Sequence, residues 1–515
     1  MQEQVGFTSM DTSRVLVPLM LVSSQWRRIC ISDPSLWSRI KVKRPESLSL
    51  SLRRSGNIPL RLVWHQPSVG VLGQDVDDSM IEMLAPHLHR TTSLHLVLMS
   101  EHALRIVTPL LSLLSKPAKD VTISTFVGLV DGRTLSDNVL HGVQLRSLSL
   151  TNFVIPLRSD AYNDLQSLNL TRLELTLTDV LNTLQRSPRL TSLWLFHTIE
   201  ASDSPSHSHL PTITLNHLGS LSVFVESDGV LRSFLSCVRY PETARLKITN
   251  TLDVDIGVEA DLWHWVPDVE GSERNKLLGP FKRSVAVDLL LDEEEEEPQV
   301  TVRGRDDNGH DCCYLETTFI RGQDAELACP VGRLAIWGFM TELRCTIIRE
   351  LSIVKSTTLF ITLSDWDAIL TSLPSLFQLT FSSVDLIDPS GRLLSQKYAV
   401  DDLFRALTPS TYIHRQICAK QLSVLRLINC GLYDRGDVVL ACARERMEAG
   451  CQLDILAFLY WDSTSRSDVP RWPDTSPFVG TTEIQMISAR DKAFGNLYAQ
   501  PSELPEEIEY LPTVT

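Results

Sequence analysis

The chain is predicted to be an α/β protein: a short helical N-terminal segment, then a curved solenoid of irregular repeats with a parallel sheet on its concave side and helices outside. Three observations predict this. Its 515 residues exceed what one ordinary core holds, which favours several domains or an elongated repeat architecture. A helix followed by a strand recurs along the chain. From residue 145 that recurrence takes a fixed spelling, Leu-x-x-Leu-x-Leu.

The first element to justify is the N-terminal segment, assigned to 15–45. In "VSSQWRRICISDPSLWSRI" (22–40) a single helix over 15–31 puts Leu19, Val22, Trp26 and Ile29 on one face and turns Arg27 and Arg28 outward. Asp33 then caps a second short helix whose first residue is Pro34, and Leu36 and Trp37 fold back onto the first. Each tryptophan is expected to fill the hollow between the two helices.

The solenoid is assigned to 46–465. Ser47 to Arg54 make a short helix ended by Ser55-Gly56, and Ile58 to Trp64 alternate as a strand. A helix to about Leu88 precedes a strand over Ser93 to Leu98, and an apolar helix over Leu104 to Leu114 precedes "DVTIST". The fixed spelling then appears at Leu145, Leu148, Leu150; at Leu165, Leu168, Leu170; at Leu190, Leu193, Leu195; and, degraded, at Leu218, Leu221, Val223. Starts at 145, 165, 190 and 218 step by about 20 to 28 residues, the range of leucine-rich repeats. Between the second and third copies, "TLTDVLNTLQRSP" has a Thr or Asp cap, an apolar face of Val180, Leu181 and Leu184, and a stop at Pro188. The pattern returns at Leu376, Leu379, Phe381, after the helix "SDWDAILTSL", and at Leu422, Leu425, Leu427. There Cys430 takes the ninth position, where this repeat class uses Asn or Cys to satisfy the turn backbone. Between about 266 and 332 the repeat is illegible, and "LLLDEEEEEPQVTVRGRDDNGHDCC" reads as an acidic, turn-rich, mobile surface insertion. Residues 466–515 read as a poorly ordered tail.

Composition narrows the function. Hydrophobic residues at 43% and charged residues at 22% are those of a folded globular chain. A net charge of −15 argues against an extended phosphate-binding surface, so no nucleic-acid partner is expected. The ten cysteines form no Cys-x-x-Cys pair, which predicts reduced thiols in the cytoplasm or nucleus. No run is long and apolar enough for a membrane span, so no membrane partner is expected.

"VSSQWRRICISDPSLWSRI" resembles the second half of the F-box motif: a Val, a Trp with a basic pair, then Pro-Ser-Leu-Trp in this order and spacing. "LRRSGNIPLRL" and "LAPHLHRTTSLHL" are similar to the segments that follow an F-box-like domain in fungal proteins ending in irregular leucine-rich repeats. The resemblance implies a substrate receptor of a Skp-cullin-F-box ubiquitin ligase, holding the Skp adaptor through its N-terminal helices and a protein substrate through the repeats. It implies an adaptor-binding module shaped by Val22, Trp26, Ile29, Leu36 and Trp37. The chain departs from the motif at its start, because "MQEQVGFTSMDTSR" holds no Leu-Pro and acidic helix and Pro18 is expected to interrupt "LVPLM". The module is therefore expected to be truncated. The alternative is a ligase-independent repeat scaffold that binds a protein and has lost a working F-box.

Strand alternation names a partner surface, since it buries the fourth and sixth positions of each copy and turns the third, fifth and seventh to the open face. Those residues include Ser192, Trp194, Phe196 and Phe224, where the aromatics are the kind of anchor that dominates interfaces, and Thr380, Ser382, Val424, Arg426 and Ile428. No enzyme is expected, because the phosphate-binding, nucleophile-elbow and zinc-protease motifs are all missing. Ser352-Ile-Val-Lys355 has no companion motif. His310, Cys312 and Cys313 lack the knuckle spacing of a zinc site, so neither metal nor cofactor is expected.

Overall fold

The computed structural model describes residues 12–65, 74–98, 103–114, 118–125, 140, 142–156, 158–199, 210–254, 278–292, 299–321, 347–355, 361–383, 397–409, 419–428, 430, 436–461 and 475–487. They fall into two units, residues 1–224 with 237–241, and residues 225–236 with 242–500. The architecture is mixed α/β, with mostly parallel strands joined by helices.

The first unit opens with α1 (Thr12–Val22), which keeps Pro18 inside it, and α2 (Ser24–Ser32). The single helix expected over 15–31 is thus two. Ser23 sits between them with extended backbone (φ −155°), and its hydroxyl accepts the Trp26 amide at 3.1 Å. A serine that caps one helix cannot continue another. Asp33 caps a 3-10 turn, Pro34–Trp37, by accepting the Ser35 amide at 2.9 Å, as its position before proline predicts.

Parallel strands follow: β1 (Arg39–Val42), α3 (Pro45–Arg54), β2 (Leu60–His65), α4 (Gln74–Leu84), β3 (Thr91–Leu98), α5 (Ala103–Ser112), β4 (Asp120–Thr125), β5 (Ser147–Thr151), β6 (Ser167–Thr171), α6 (Leu177–Gln185), β7 (Ser192–Phe196) and β9 (Ser220–Val225), with a two-residue pair, β8 (Ile213–Thr214) and β10 (Val238–Arg239), beside them. Each strand of the main ladder pairs with the next in parallel. Register aligns the leucines: Leu148, Leu168, Leu193 and Leu221 form one row, and Leu150, Leu170, Leu195 and Val223 the next. All eight are at most 1% exposed, so each contributes the roughly 1.5–3 kcal/mol of a fully buried aliphatic side chain. Thr176 caps α6 by accepting the Asp179 amide at 3.1 Å.

Two devices join neighbouring strands and the turns beside them. The residues just after β5, β6 and β7, namely Asn152, Arg172 and His197, have φ of +54°, +54° and +46°. Each donates its amide to the last paired carbonyl of the following strand, at 3.0, 2.6 and 3.1 Å, which offsets the cost of a left-handed non-glycine residue. The other device is an arginine that satisfies carbonyls of a turn. Arg90 donates to Ile58 O and Leu52 O, and Arg186 to Ser159 O and Asn163 Oδ1. In the second unit the fully buried Arg446 donates to Leu407 O, Ala419 O and Leu422 O.

The second unit contains α7 (Asp228–Cys237, except its last residue), β11 (Arg245–Val254), α8 (Gly279–Lys282), β12 (Ala286–Asp292), β13 (Gln299–Arg305), β14 (Asp311–Arg321), β15 (Glu350–Lys355), α9 (Leu363–Ser372), β16 (Gln378–Ser383), α10 (Lys397–Leu407), β17 (Val424–Ile428), α11 (Gly436–Glu448), β18 (Ile455–Trp461) and β19 (Thr481–Ile487). From β12, the ladder β15, β16, β17, β18, β19 is parallel throughout. Thr362 and Asp365 make a reciprocal capping box at α9. Cys430 is buried and donates its thiol to Ile428 O at 3.3 Å, the turn-satisfying role expected of it.

Two expectations are corrected here. The segment read as a surface insertion supplies three sheet strands: β12 pairs in parallel with β15 and antiparallel with β13, β13 with β14, and β14 in parallel with β11. Its turn-rich look comes from the β13–β14 hairpin turn at Asp306–His310. The glutamates 293–297 lie outside the described residues. In the supposed tail, β19 adds a strand to β18, with Thr475 and Val479 buried.

Candidate protein-binding site

The N-terminal hairpin separates its two tryptophans. Trp37 is 6% exposed and packs with Leu16 and Cys30, flanked by Leu19, Met20, Leu36 and Leu50. Its indole Nε1 donates to Cys30 O at 2.6 Å, and the Arg54 guanidinium lies 4.5 Å from the ring centroid. Trp26 is 47% exposed, so it does not fill the hollow expected of it. Cys30, one turn further along α2, takes the buried place against Trp37 and Leu16.

Exposed apolar side chains flank Trp26 along the chain, with Gln25, Arg27 and Arg28 exposed among them. Leu21 and Val22 are 73% and 70% exposed at the end of α1, and Ile29, one turn after Trp26, and Ile31 are also exposed. Five of the nine exposed large hydrophobic side chains among the described residues therefore fall between 21 and 31. Scattered single exposures are ordinary, whereas a concentration like this marks a contact surface. Of the five residues expected to shape the adaptor module, Val22, Trp26 and Ile29 lie on this surface, Trp37 is core, and Leu36 packs at the edge of that core. Leu21 and Ile31 were missed, because they fall off the 19, 22, 26, 29 spacing from which the face was read.

The second surface is the open face of the first unit's ladder. Register sets Ser149, Asn169, Trp194 and Ser222 in one row and Thr151, Thr171, Phe196 and Phe224 in the next, with Ser192 at the head of its strand. Nearly all are half-buried, and Thr171 is buried, its hydroxyl bonded to Asn169 Oδ1 at 3.0 Å. Phe196 and Phe224 stack with centroids 4.6 Å apart, and the His197 ring lies 4.6 Å from Phe196 and 4.1 Å from Phe224. Farther along the same ladder His95 lies 5.5 Å from His65. Burial, and then the charge of His65, pull the His95 pKa down to about 4.

Arg426 stands in the second unit, where the expected open face is different. Thr380, Ser382, Val424 and Ile428 are all buried, and Ile428 packs with Ala457 and Leu459. This corrects the reading of those four residues as a free partner surface. Arg426 itself is half-buried between them. The polar residues toward the β11 side pair with one another: Arg303 holds Asp311 at 2.7 and 2.9 Å, Arg305 holds Asp288 at 3.1 Å, and Tyr314 and Gln299 both donate to Glu316.

No described helix is long and apolar enough to cross a membrane. No protein-family model matches the chain, and no curated protein matches it.

Proposed function

We propose that this chain is the substrate receptor of a Skp-cullin-F-box type ubiquitin ligase, a short F-box-like helical module followed by a leucine-rich-repeat solenoid. The observation that carries the reading is the hairpin at 12–37, whose motif tryptophans divide into one core residue, Trp37, and one surface residue, Trp26, beside exposed Leu21, Val22, Ile29 and Ile31. A hairpin needs only one of them to fold, and the other side chains are apolar area left for a partner. In this reading the hairpin face binds the Skp adaptor, and Trp194, Phe196 and Phe224 on the first unit's open face anchor the protein to be ubiquitinated. The chain works in the cytoplasm or nucleus and contributes no catalytic residue, since the transfer chemistry belongs to other subunits.

Co-purification of the full chain with a Skp adaptor tests this, beside Trp26→Ala. Because Trp26 is half exposed, its removal leaves the fold intact. Capture by the original chain and its loss in the folded variant are expected. Failure of the original chain to capture the adaptor removes the ligase and leaves the repeat scaffold alone.

A further inference from the structure

Cys312 and Cys313 are neighbours in β14, and neighbours in a regular strand face opposite sides of the sheet. These two do not. The β13–β14 register pairs Gly304 with Cys313 and Arg305 with Asp311, so Cys312 is the extra residue of a bulge. The bulge brings both sulfurs to one hydroxyl: Ser284 Oγ lies 3.2 Å from Cys312 Sγ and 3.4 Å from Cys313 Sγ. Opposite them, a Cβ on Gly304 would fall 2.1 Å from Ser284 Oγ and 2.5 Å from Cys313 Sγ, so the glycine is what leaves room for the cluster. The Cys313 thiol also hydrogen-bonds to Cys312, which with Ser284 draws the Cys312 thiol below its ordinary range against the effect of burial.

What two thiols held this way can bind follows from their spacing. Consecutive Cα atoms are about 3.8 Å apart, below the roughly 4.4–6.8 Å that disulfides usually span. Closing a sulfur–sulfur bond would therefore distort the bulge, whereas one atom bridging both sulfurs holds them farther apart than a disulfide bond does. The donor set is too small for a closed tetrahedral zinc site, and among the described residues no three His, Cys, Asp or Glu side chains gather to complete one. Sulfurs on the same side suit a pyramidal thiophilic centre better than a linear two-coordinate ion.

We propose that Cys312 and Cys313 form a two-sulfur chelating site for trivalent arsenic, taken as arsenite or as a monosubstituted arsenical. Two As–S bonds form as two S–H bonds and two As–O linkages break, the thiol protons leaving with oxygen as two waters from As(OH)3 or a hydrated R–As(OH)2, or as one water from an oxide R–As=O. No electron is transferred. Both sulfurs are buried, at 3% and 2% exposure, and the neighbouring turn, Asp307 to His310, is exposed. That burial makes labelling slower than at an open thiol.

The test uses phenylarsine oxide on the full reduced chain, followed by proteolysis and mass mapping. The expected result is one arsenical bridging the peptide that holds Cys312 and Cys313, resistant to excess monothiol and released by ethanedithiol. Cys312→Ser and Cys313→Ser should each abolish that bridged peptide, while Ser284→Ala, which removes no sulfur, keeps it. Mapping on the unaltered chain decides the matter even if a serine variant unfolds. An arsenical found only on other cysteines, ready release by monothiol, or a Cys312–Cys313 disulfide in the chain purified without reductant would each overturn the proposal.

Discussion

The open faces of the two units are built on the same leucine spacing and end in opposite states. In the first unit the outward residues of β5, β6, β7 and β9 are mostly Ser, Thr and Asn, half-buried at most of their positions. In the second, the outward residues of β16, β17 and β18 include Thr380, Ser382, Ile428, Ala457 and Leu459, and all five are buried. The leucine rows fix which side of a strand faces the helices; they say nothing of the other side. That side is decided by the intervening positions. "SLSLT" and "SLNLT" alternate, as a half-covered strand does, whereas "ILAFLYW" and "VLRLI" run apolar almost without interruption, as parallel strands covered on both faces do.

Charge placed on each face would sharpen that contrast most. Leu459→Asp puts a carboxylate into a buried apolar cluster and should destabilise the second unit by more than about 3 kcal/mol. Ser149→Asp, on the first unit's open face, should stay within about 0.5 kcal/mol. Denaturant melts of both variants measure the difference, and equal effects would break the comparison. The tryptophans offer the same contrast at smaller scale: Trp37→Ala should cost about 3 to 5 kcal/mol, and Trp26→Ala about 0.5 kcal/mol or less.

The smallest effect concerns pH. His95 in the first unit is held neutral, with its pKa lowered from 6.5 to about 4 by burial and the charge of His65. Between those values the unfolded chain takes a proton that the folded chain refuses, so this contribution to stability is full above about pH 6.5 and is lost as pH falls toward 4. A His95→Gln variant should show a shallower acid limb in melting temperature against pH, and an unchanged limb would count against this burial.

Much of the ladder was legible in the sequence, because strand alternation and helix caps are local. The copies at Leu145, Leu165 and Leu190, the Thr176 cap, the helix in "SDWDAILTSL" and the Asp33-Pro34 turn all lie where their residues place them. What was not legible depends on distant partners. β12, β13 and β14 carry no leucine spelling, and their identity as sheet strands comes from pairing with β15 and β11, far away in sequence. Trp26 and Trp37 share one motif, and only their packing partners separate surface from core. The break at Ser23 had a signal, since serine before an apolar turn is a capping residue. The two-sulfur bulge had a weaker one in Gly304, whose partner eight to nine positions on could be read only from the register.

Adaptor binding by the hairpin face is tested by calorimetric titration of purified Skp adaptor into the full chain, Trp26→Ala and Trp194→Ala. Trp194→Ala should bind like the original, and Trp26→Ala should lose at least about 30-fold, the size of an interfacial hot spot of roughly 2 kcal/mol. Equal affinity in all three, or a loss confined to Trp194→Ala, would contradict binding by the hairpin face.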